Sequence, residues 1–270
     1  MPEGDTIWRT ARALGAALAG KTVLAFGSSL PAVAAAARRL GVVGQAVETV
    51  EAHGKHLLVR FEKGAVLHTH LGMRGRWHLV RRTGARGPLA RAVIETADVV
   101  AACSLAPVVE LLSASQARAH PALARLGPDL LKPDFEPATA RRRLRARGEL
   151  PVGVALTDQT ALAGIGNVYK SEVLFVCGVS PLARVRDLDD ATIDRLVAKA
   201  GELLRRNRGA GVRRTTSPLA PGPLWVYRRS GRPCRKCGTA VARVVQGEQA
   251  RSTYFCPACQ GRPPARRRTP

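Results

Sequence analysis

The stretch CRKCGTAVARVVQGEQARSTYFCPAC, residues 234–259, decides how the last part of this chain folds. It holds two Cys-x-x-Cys pairs separated by eighteen residues that can form a β-hairpin. Each pair can make a short turn that directs two thiolates to one centre, so four sulfurs can surround a tetrahedral Zn2+ and leave no open position. We predict one structural zinc ion on Cys234, Cys237, Cys256 and Cys259. Disulfides and an iron–sulfur cluster are the alternatives.

Basic residues surround these cysteines and are concentrated in the last quarter of the chain. Residues 205–270 contain sixteen Lys and Arg against one acid, Glu248, and the whole chain carries a formal charge of +23. Clustered cations bind polyanions because they release counterions from phosphates. The pattern therefore favours a nucleic-acid partner and a hairpin that contacts phosphates. The alternatives are a solvated basic face and a composition rich in Arg for unrelated reasons.

The first 112 residues have the hydrophobic pattern of an antiparallel β protein that begins with a helix. Apolar residues recur on one helical face from Ile7 to Leu18, with Asp5 as the expected N-cap and Gly20 as the stop. Short apolar runs broken by turn residues follow. Strands are predicted at 47–50, 57–61, 65–70, 77–80, 93–95 and 99–103, with a hairpin turn at 62–64. Many short strands without intervening helices predict a sandwich or barrel.

Beyond a predicted linker at 113–121 the pattern becomes helical. Helices are expected at about 137–147 and, with Asp189 as N-cap, up to about residue 207. Between them, Gly164-Ile165-Gly166-Asn167 forms a tight turn that opens another helix. The backbone amides of such a turn, together with the Asn167 amide, can bind a phosphate. An ordinary helix–helix turn is the alternative interpretation.

The N-terminus is acidic and lacks a signal peptide, and the chain has no apolar run of the roughly 18 residues that a membrane span needs. We therefore expect a cytoplasmic protein that does not enter a membrane.

Several short motifs occur in an order and spacing that resemble the formamidopyrimidine-DNA glycosylase / endonuclease VIII family. They cover essentially the whole chain up to Gln260. The motifs are Met1-Pro2-Glu3-Gly4, Gly54-Lys55-His56-Leu57-Leu58, His70-Leu71-Gly72-Met73, Asp158-Gln159, Gly164-Ile165-Gly166-Asn167-Val168-Tyr169 and the four-Cys ribbon.

The resemblance implies a multidomain α and β fold with DNA bound between its two main parts. Residues 1–112 would form an N-terminal β-sandwich catalytic domain with a leading helix, and 113–121 a linker. Residues 122–224 would form a helix–two-turns–helix DNA-binding domain, followed by a zinc-finger hairpin at 225–262. The basic tail, 263–270, is expected to be disordered.

The resemblance also implies the roles of individual residues. Pro2, exposed once Met1 is removed, corresponds to the family's nucleophile, Glu3 to its catalytic glutamate and Lys55 to its β-hairpin lysine. Asn167 and Arg251 correspond to phosphate-binding residues, and Met73 to the side chain that fills the gap left by an everted nucleotide. The implied catalytic set is Pro2, Glu3, Lys55 and Arg251, and the implied DNA-binding set is Lys55, Met73, Asn167 and Arg251.

The sequence departs from the oxidised-purine branch of this family in four places. Asp5-Thr6 stands where many members have Pro-Glu, so a second N-terminal glutamate is missing. Gly153 lies about where that branch has a phosphate-binding lysine. The stretch 99–109 lacks an arginine that could probe the opposite base, and the loop 210–223 is shorter than the loop that surrounds 8-oxoguanine. These differences favour the endonuclease VIII side and oxidised pyrimidines.

We therefore expect a monomeric, nucleoid-associated DNA glycosylase and AP lyase of base excision repair. Its implied partner is damaged double-stranded DNA, with single-stranded DNA as a second candidate. An 8-oxoguanine glycosylase of the same family is one alternative. A non-catalytic zinc-ribbon protein that binds DNA or senses lesions is another, and charge alone would also fit an RNA-binding or ribosome-associated protein.

Overall fold

The computed structural model describes residues 2–81 and 90–261, so the predicted basic tail lies outside the described residues. The chain forms two compact units, one up to Arg125 and one from Leu126 onward. Within the described ranges, no helix combines the length and apolar character that crossing a membrane requires.

The first unit opens with helix α1, Gly4–Leu18. Its N-cap is Glu3, whose extended backbone precedes the helix and whose carbonyl accepts the amides of Thr6 (2.9 Å) and Ile7 (3.0 Å). The prediction that Asp5 caps the helix is wrong, because Asp5 already lies in the first turn. The apolar face buries as predicted and ends just before Gly20, whose φ is +77°.

Eight antiparallel strands form two four-stranded sheets in the described part of this unit. The strands are β1 Ala25–Gly27, β2 Val47–His53, β3 His56–Phe61, β4 Val66–His70, β5 Arg76–Arg81, β6 Ala92–Glu95, β7 Val99–Ser104 and β8 Val108–Leu112. One sheet has the order β1-β6-β7-β5 and the other β2-β3-β4-β8. Side chains of both sheets and of α1 share one buried core, among them Leu57 and Leu67 from one sheet and Ile94 and Ala101 from the other. This arrangement confirms the predicted β-sandwich.

A helix interrupts the strand series, so the expectation of strands without intervening helices is wrong. Helix α2, Pro31–Leu40, has proline in its first turn and ends at Gly41, which adopts the left-handed conformation with φ +56°. Its buried residues, Val33, Ala36 and Ala37, are spaced as one helical face. Strands β1 and β8 are further additions to the predicted set, whereas the hairpin at 62–64 joins β3 and β4 as expected.

The first unit ends in two short helices, α3 Ala114–Ala119 and α4 Pro121–Ala124. Ser113 and Gln116 form a capping box, in which each side chain accepts the other residue's backbone amide. Neither helix has a buried residue.

The second unit is helical and ends in a two-stranded hairpin. Its elements are α5 Pro137–Arg145, α6 Val152–Ala155, α7 Asn167–Val176, a 3-10 turn at Val185–Asp187, α8 Asp190–Arg206, β9 Ala242–Gln246 and β10 Arg251–Phe255. Asp189 caps α8 as predicted, because its carboxylate accepts the Thr192 amide at 2.8 Å. The apolar stripe of α8 packs with residues of α5, α6 and α7 in a second core.

Several arginines of the second unit hold its helices together. Arg141 bonds to Asp194 (2.5 Å) and Arg145 to Asp190 (2.8 Å), which joins α5 to α8. The positive charge of α5 is therefore partly neutralised within the protein.

Candidate active site and metal centre

The N-terminal end of α1 carries two buried carboxylates. Glu3 and Asp5 are both fully buried, and the half-buried Pro2 directly precedes them. Amides at a helix N-terminus present a partial positive charge, which favours carboxylates at this position. Asp5 approaches Arg9 at 3.9 Å and accepts the Thr6 hydroxyl at 3.3 Å. Asp5 is thus a buried acid directly before Thr6, the position at which the family's second glutamate is missing.

Lys55 lies in a tight two-residue turn between β2 and β3. His53 and His56 pair across the strands, leaving only Gly54 and Lys55 in the turn. Gly54 has φ +58° at the first central position, the pattern of a type II′ turn that suits the twist of a hairpin. This confirms that Lys55 is a hairpin residue, and the turn fixes its backbone.

The N-terminus of α1 and the Lys55 turn lie at the same end of the first unit. Ala19 pairs with Val47 at the opposite end, and a Cβ on Gly15 would lie 3.9 Å from the Val50 Cβ. Going back along α1 from Ala19 to Gly15 therefore follows the same direction as going forward along β2 from Val47 to Val50. The N-terminal end of α1, with Pro2 and Glu3, is therefore directed towards the end of the sandwich that carries the Lys55 turn.

The loop that carries Met73 starts at this same edge. Strand β4 ends at His70, which pairs with His56 of β3, next to Lys55. Gly72 follows with φ +57°, and a Cβ there would lie 2.7 Å from the Pro107 ring, so no larger residue fits. The Met73 side chain is 78% exposed. An exposed apolar side chain on a loop that starts next to the Lys55 turn is suited to inserting into a base stack.

In the second unit, Gln159 shapes the turn that precedes α7. Its side-chain nitrogen donates to the carbonyls of Thr157 (2.8 Å) and Ile165 (3.0 Å), and its oxygen accepts the Gly164 amide (3.1 Å). Gly164 has φ +103°, a conformation that other residues rarely adopt. The Asp158-Gln159 motif, which sequence reasoning left without a role, is therefore a support for the Gly-rich turn.

Asn167 is the first residue of α7, as predicted. Its side-chain oxygen is buried and has no hydrogen-bond partner within residues 2–81 and 90–261. Buried polar atoms normally have partners, so this amide is suited to a ligand. Because the two ends of an amide are interchangeable by rotation, it can present its NH2 group to an anion.

Arg251 begins β10 and lines a cavity of about 510 Å3 together with Lys170 and Gln159. The hairpin is joined to the first turn of α7 by the Ser171 hydroxyl, which donates to the Asn167 carbonyl (3.0 Å) and accepts the Tyr254 amide (3.2 Å). Asn167 and Arg251, the two residues of this unit predicted to bind phosphate, therefore lie on elements that are hydrogen-bonded to each other.

Gly153 contacts this hairpin closely. A Cβ at position 153 would lie 2.6 Å from the Gln246 Oε1 and 3.0 Å from the Pro181 carbonyl oxygen. Gln246 is itself fixed, because it donates to the Pro181 carbonyl (3.0 Å) and accepts the Thr253 hydroxyl (2.7 Å). The position therefore has no room for a phosphate-binding lysine in this packing.

The four predicted zinc ligands come together in the second unit. Their sulfur atoms lie within 4.8 Å of one another, with Cys234 to Cys259 at 3.9 Å and Cys237 to Cys256 at 3.4 Å. Tetrahedral coordination with Zn–S bonds of about 2.3 Å places sulfurs about 3.8 Å apart. The distances fit this geometry and are too long for disulfide bonds, so the cysteines form a zinc-finger site.

The turns around the cysteines supply the electrostatics of this site. Hydrogen bonding from Thr239 lowers the pKa of Cys237 to about 6, so this sulfur is ionised at neutral pH. Burial raises the pKa of Cys256 and of Cys259, the latter to about 12. A bound dication stabilises thiolates and favours the ionised form of all four ligands.

Glu172 of α7 attaches the zinc-finger segment to the helical core. The buried carboxylate accepts the backbone amides of Trp225 (2.8 Å), Val226 (2.9 Å) and Tyr227 (2.8 Å), and also the Thr215 hydroxyl. Burial raises the pKa of this carboxyl, and the four donors act in the opposite direction. Sequence reasoning missed Glu172, because no motif shows that its partners lie more than 40 residues away.

Three family descriptions match the chain. Residues 1–105 match the formamidopyrimidine-DNA glycosylase N-terminal domain, residues 126–217 the formamidopyrimidine-DNA glycosylase H2TH domain, and residues 231–261 the zinc finger found in FPG and IleRS.

Proteins named as endonucleases or as a DNA lyase are similar over nearly the full length. The chain is 42% identical to the "Probable endonuclease 8 2" of Streptomyces coelicolor, covering 98% of this chain and 96% of that protein. It is 42% identical to the "DNA-(apurinic or apyrimidinic site) lyase Nei2" of Mycolicibacterium smegmatis, covering 96% and 99%. Identity to the endonuclease 8 of Escherichia coli is 33%, covering 96% and 100%.

The fold of this chain is also similar to that of solved structures. Lactococcus lactis formamidopyrimidine-DNA glycosylase bound to DNA with an AP site superposes with a TM-score of 0.81 at 24% identity, covering 96% of this chain and 100% of that one. Family match, full-length relatives and fold agree. The chain belongs to the formamidopyrimidine-DNA glycosylase / endonuclease VIII family.

Proposed function

We propose that this chain is a DNA glycosylase and AP lyase of base excision repair with Pro2 as its covalent nucleophile. The supporting observation is that the N-terminal end of α1, with Pro2 and Glu3, is directed towards the end of the β-sandwich that carries the Lys55 turn and the start of the Met73 loop. Full-length similarity to proteins named endonuclease 8 and Nei2 lyase points to the same chemistry.

The first chemical step uses the amine that removal of Met1 would expose. An α-amine has an ordinary pKa near 8, so an appreciable fraction is neutral and nucleophilic at pH 7. The nitrogen lone pair of Pro2 attacks the sugar C1′, the bond from C1′ to the base breaks, and the base leaves with a proton. The secondary amine gives up its one hydrogen in this step. The C1′–O4′ bond of the sugar ring then breaks, O4′ takes a proton, and the Pro2 nitrogen forms an iminium ion with C1′.

Strand cleavage follows from the same intermediate. The iminium acidifies the C2′ hydrogen, so a base can remove that proton while the bond to the 3′ phosphate breaks. A second elimination then releases the 5′ phosphate. Glu3 is placed beside Pro2 and moves protons at the ring oxygen and at C2′. Asp5, the buried residue that follows Gly4, is a second acid at the N-terminal end of α1.

DNA is bound chiefly through its phosphates in this proposal. Lys55 contacts phosphate from the first unit, and Asn167 and Arg251 do so from the second. Met73 enters the base stack where the damaged nucleotide turns out. Arg251→Ala and Asn167→Ala should weaken binding to all sequences alike, whereas Met73→Ala should spare salt-dependent binding and slow excision.

We propose oxidised pyrimidines as the preferred substrates. The short loop at 210–223 and the packing of Gly153 against Gln246 both remove features of the oxidised-purine branch. Thymine glycol, 5-hydroxyuracil and dihydrouracil should therefore be released faster than 8-oxoguanine opposite cytosine. A panel of single-lesion oligonucleotides tests this, and a clear preference for 8-oxoguanine would reverse the substrate assignment within the same family.

The remaining assignments are part of the same proposal. The enzyme acts as a monomer on damaged duplex DNA in the nucleoid, with single-stranded DNA as a second substrate form. Its functional domains are 1–112, 122–224 and 225–262, joined by 113–121. The zinc ion has no role in bond cleavage, because four cysteines leave it no open position.

Borohydride trapping tests the nucleophile directly. Reduction of the iminium should leave a covalent complex with abasic DNA, and mass spectrometry should place the crosslink on Pro2. A variant that retains Met1 should form no complex, because an amide nitrogen has no basic lone pair. Glu3→Gln should bind DNA nearly normally but turn over about 100-fold more slowly.

Lys55 is the rival nucleophile and provides the decisive comparison. Its primary amine could also form a Schiff base, so Lys55→Met should be tested beside the protein with a blocked N-terminus. An undiminished crosslink in the blocked protein that maps to Lys55 would refute the Pro2 mechanism. Failure of the unaltered protein, freed of Met1, to release any base from oxidised duplex, despite binding, would favour a lesion-sensing protein.

A further inference from the structure

A cluster of histidines around one carboxylate lies on the first unit, outside the residues assigned so far. The Glu110 Oε2 lies 2.8 Å from the His68 Nδ1 and 3.1 Å from the His120 Nε2. All three ligand atoms lie within 4.8 Å of one another. Two imidazole nitrogens and a carboxylate oxygen that converge in this way are a donor set typical of Zn2+ and related first-row dications.

The fold positions the three groups in two ways, because strand pairing holds two of them and a helix junction holds the third. His68 of β4 pairs directly with Glu110 of β8, so both side chains project from the outer face of the same sheet. His120 lies at the junction of α3 and α4, where it ends one helix and precedes the other. Rigid strands thus supply two donors, and the segment that crosses this face supplies the third.

A further histidine supports the cluster as an outer partner. The His56 Nδ1 lies 2.8 Å from the His68 Nε2, the ring nitrogen that faces away from Glu110. Ligating histidines usually bond through their second nitrogen to a partner that fixes the orientation of the ring. With a cation on the His68 Nδ1, the ring proton lies on Nε2 and is donated to His56, so both rings remain neutral.

The burial of the histidine rings and the exposure of the carboxylate both suit a bound metal ion. His68 is 1% exposed and His120 is 18% exposed, whereas the Glu110 side chain is 41% exposed. The buried His68 and the half-buried His120 would hold the ion in place, and the open carboxylate side would admit the ion and a water to complete its coordination. No cysteine takes part, so this site differs in chemistry from the zinc finger.

The segment that bears His120 has little else to attach it to the sheet. Helices α3 and α4 bury no residue, and a cavity of about 400 Å3 lies against them, lined by Leu58, Val66 and Leu123 among others. Apolar packing is therefore sparse here. A metal bond from His120 to groups of β4 and β8 would hold the segment in place.

We propose that His68, Glu110 and His120 form a second metal site that binds one divalent first-row cation, with Zn2+ as its resident ion, and fastens the α3–α4 segment to the β-sandwich. The site is independent of the catalytic proposal above, since it rests on residues that the proposed reaction does not use.

Cobalt spectroscopy separates the two sites in the full-length protein. Mild chelation should leave the four-cysteine zinc in place, which total zinc of one per chain verifies. Co2+ should then bind as one equivalent and give visible d–d bands without the sulfur charge-transfer band of a thiolate site. Zn2+ should displace it with the same stoichiometry.

Variants at the exposed end of the cluster test the ligands without disturbing the core. His120→Gln and Glu110→Gln should abolish the added equivalent, although Glu110→Gln still offers an oxygen for hydrogen bonds. His56→Gln should weaken binding by about 10-fold or more. His78→Gln, which changes an exposed histidine of β5, is the matched control and should bind normally.

Proteolysis supplies a readout of the fastening itself. Zn2+ should slow cleavage by trypsin after Arg118 in the unaltered protein and have no such effect in His120→Gln. The proposal is overturned if the chelated protein takes up no added Co2+, if both ligand variants bind it normally, or if His78→Gln loses as much binding as they do. In each case the cluster is only a set of hydrogen bonds.

Discussion

Replacing Glu172 by glutamine should detach the zinc-finger segment from α7. The carboxylate accepts two hydrogen bonds on each oxygen, from three backbone amides and the Thr215 hydroxyl. Glutamine keeps one oxygen and places an NH2 group against the two donors on the other side. At about 1.5–3 kcal/mol for each hydrogen bond to a charged group, losing two costs about 3–6 kcal/mol. A domain is stable by only about 5–15 kcal/mol, so the change is large.

Urea unfolding followed by circular dichroism, together with zinc release to a chromogenic chelator, measures this effect. Glu172→Gln should lower the unfolding midpoint and accelerate zinc release, because the segment that precedes Cys234 loses its attachment. Glu202→Gln on the exposed face of α8 is the matched control and should change stability by no more than about 0.5 kcal/mol. A Glu172→Gln protein as stable as this control would refute the reasoning.

Three further changes test other parts of the structure. Burial lowers the pKa of His56 from 6.5 to about 3, so between these pH values the imidazole takes up a proton only in the unfolded chain. The free energy of unfolding should therefore fall as the pH falls below 6.5. In urea titrations of chelated protein, His56→Gln should weaken this pH dependence. Gly153→Ala should cost about 1–3 kcal/mol in the same assay, because its Cβ meets Gln246. Gly54→Ala should cost about 1–2 kcal/mol, since φ is +58°, and should reduce DNA affinity measured by fluorescence anisotropy because Lys55 is displaced.

Local signals predicted the elements in which sequence and packing agree. Helix α8 was predictable from both ends, since Asp189 caps it and the apolar stripe from Ile193 to Leu204 is buried. The turn at 62–64 was predictable because glycine follows a charged pair between two apolar runs. The four-cysteine metal site was predictable because the spacing of the two Cys-x-x-Cys pairs is compatible with few other structures.

The missed elements had weaker or competing signals. Helix α2 is rich in alanine, which gives little apolar contrast between its faces, although proline at its start and Gly41 at its end marked it. Strand β1 has three residues, too few for an alternating pattern. Asp5 resembled an N-cap by residue type, yet the extended backbone of Glu3 begins the helix two residues earlier.

For the candidate site, the sequence supplied the residue types and the resemblance supplied their roles, but neither supplied the geometry. That the start of α1 is directed towards the end of the sandwich with the Lys55 turn and the Met73 loop follows from strand register and from the direction of α1. The convergence of His68 with Glu110 likewise depends on the pairing of β4 with β8, which local patterns do not specify. Long-range register is a tertiary property, so it lay beyond sequence reasoning.

The hydrophobic cluster shared by α7 and the cysteine turns has a consequence for the energetics of the whole second unit. Phe175 of α7 packs with Val226, Val241 and two of the metal-binding cysteines. Thermodynamic linkage then passes the free energy of zinc binding to the helix that begins at Asn167. While the concentration of free zinc exceeds the dissociation constant of the site, each tenfold fall in that concentration lowers the free energy of unfolding by about 1.4 kcal/mol. Zinc starvation would thus act on the proposed phosphate-binding turn without any change in its own residues.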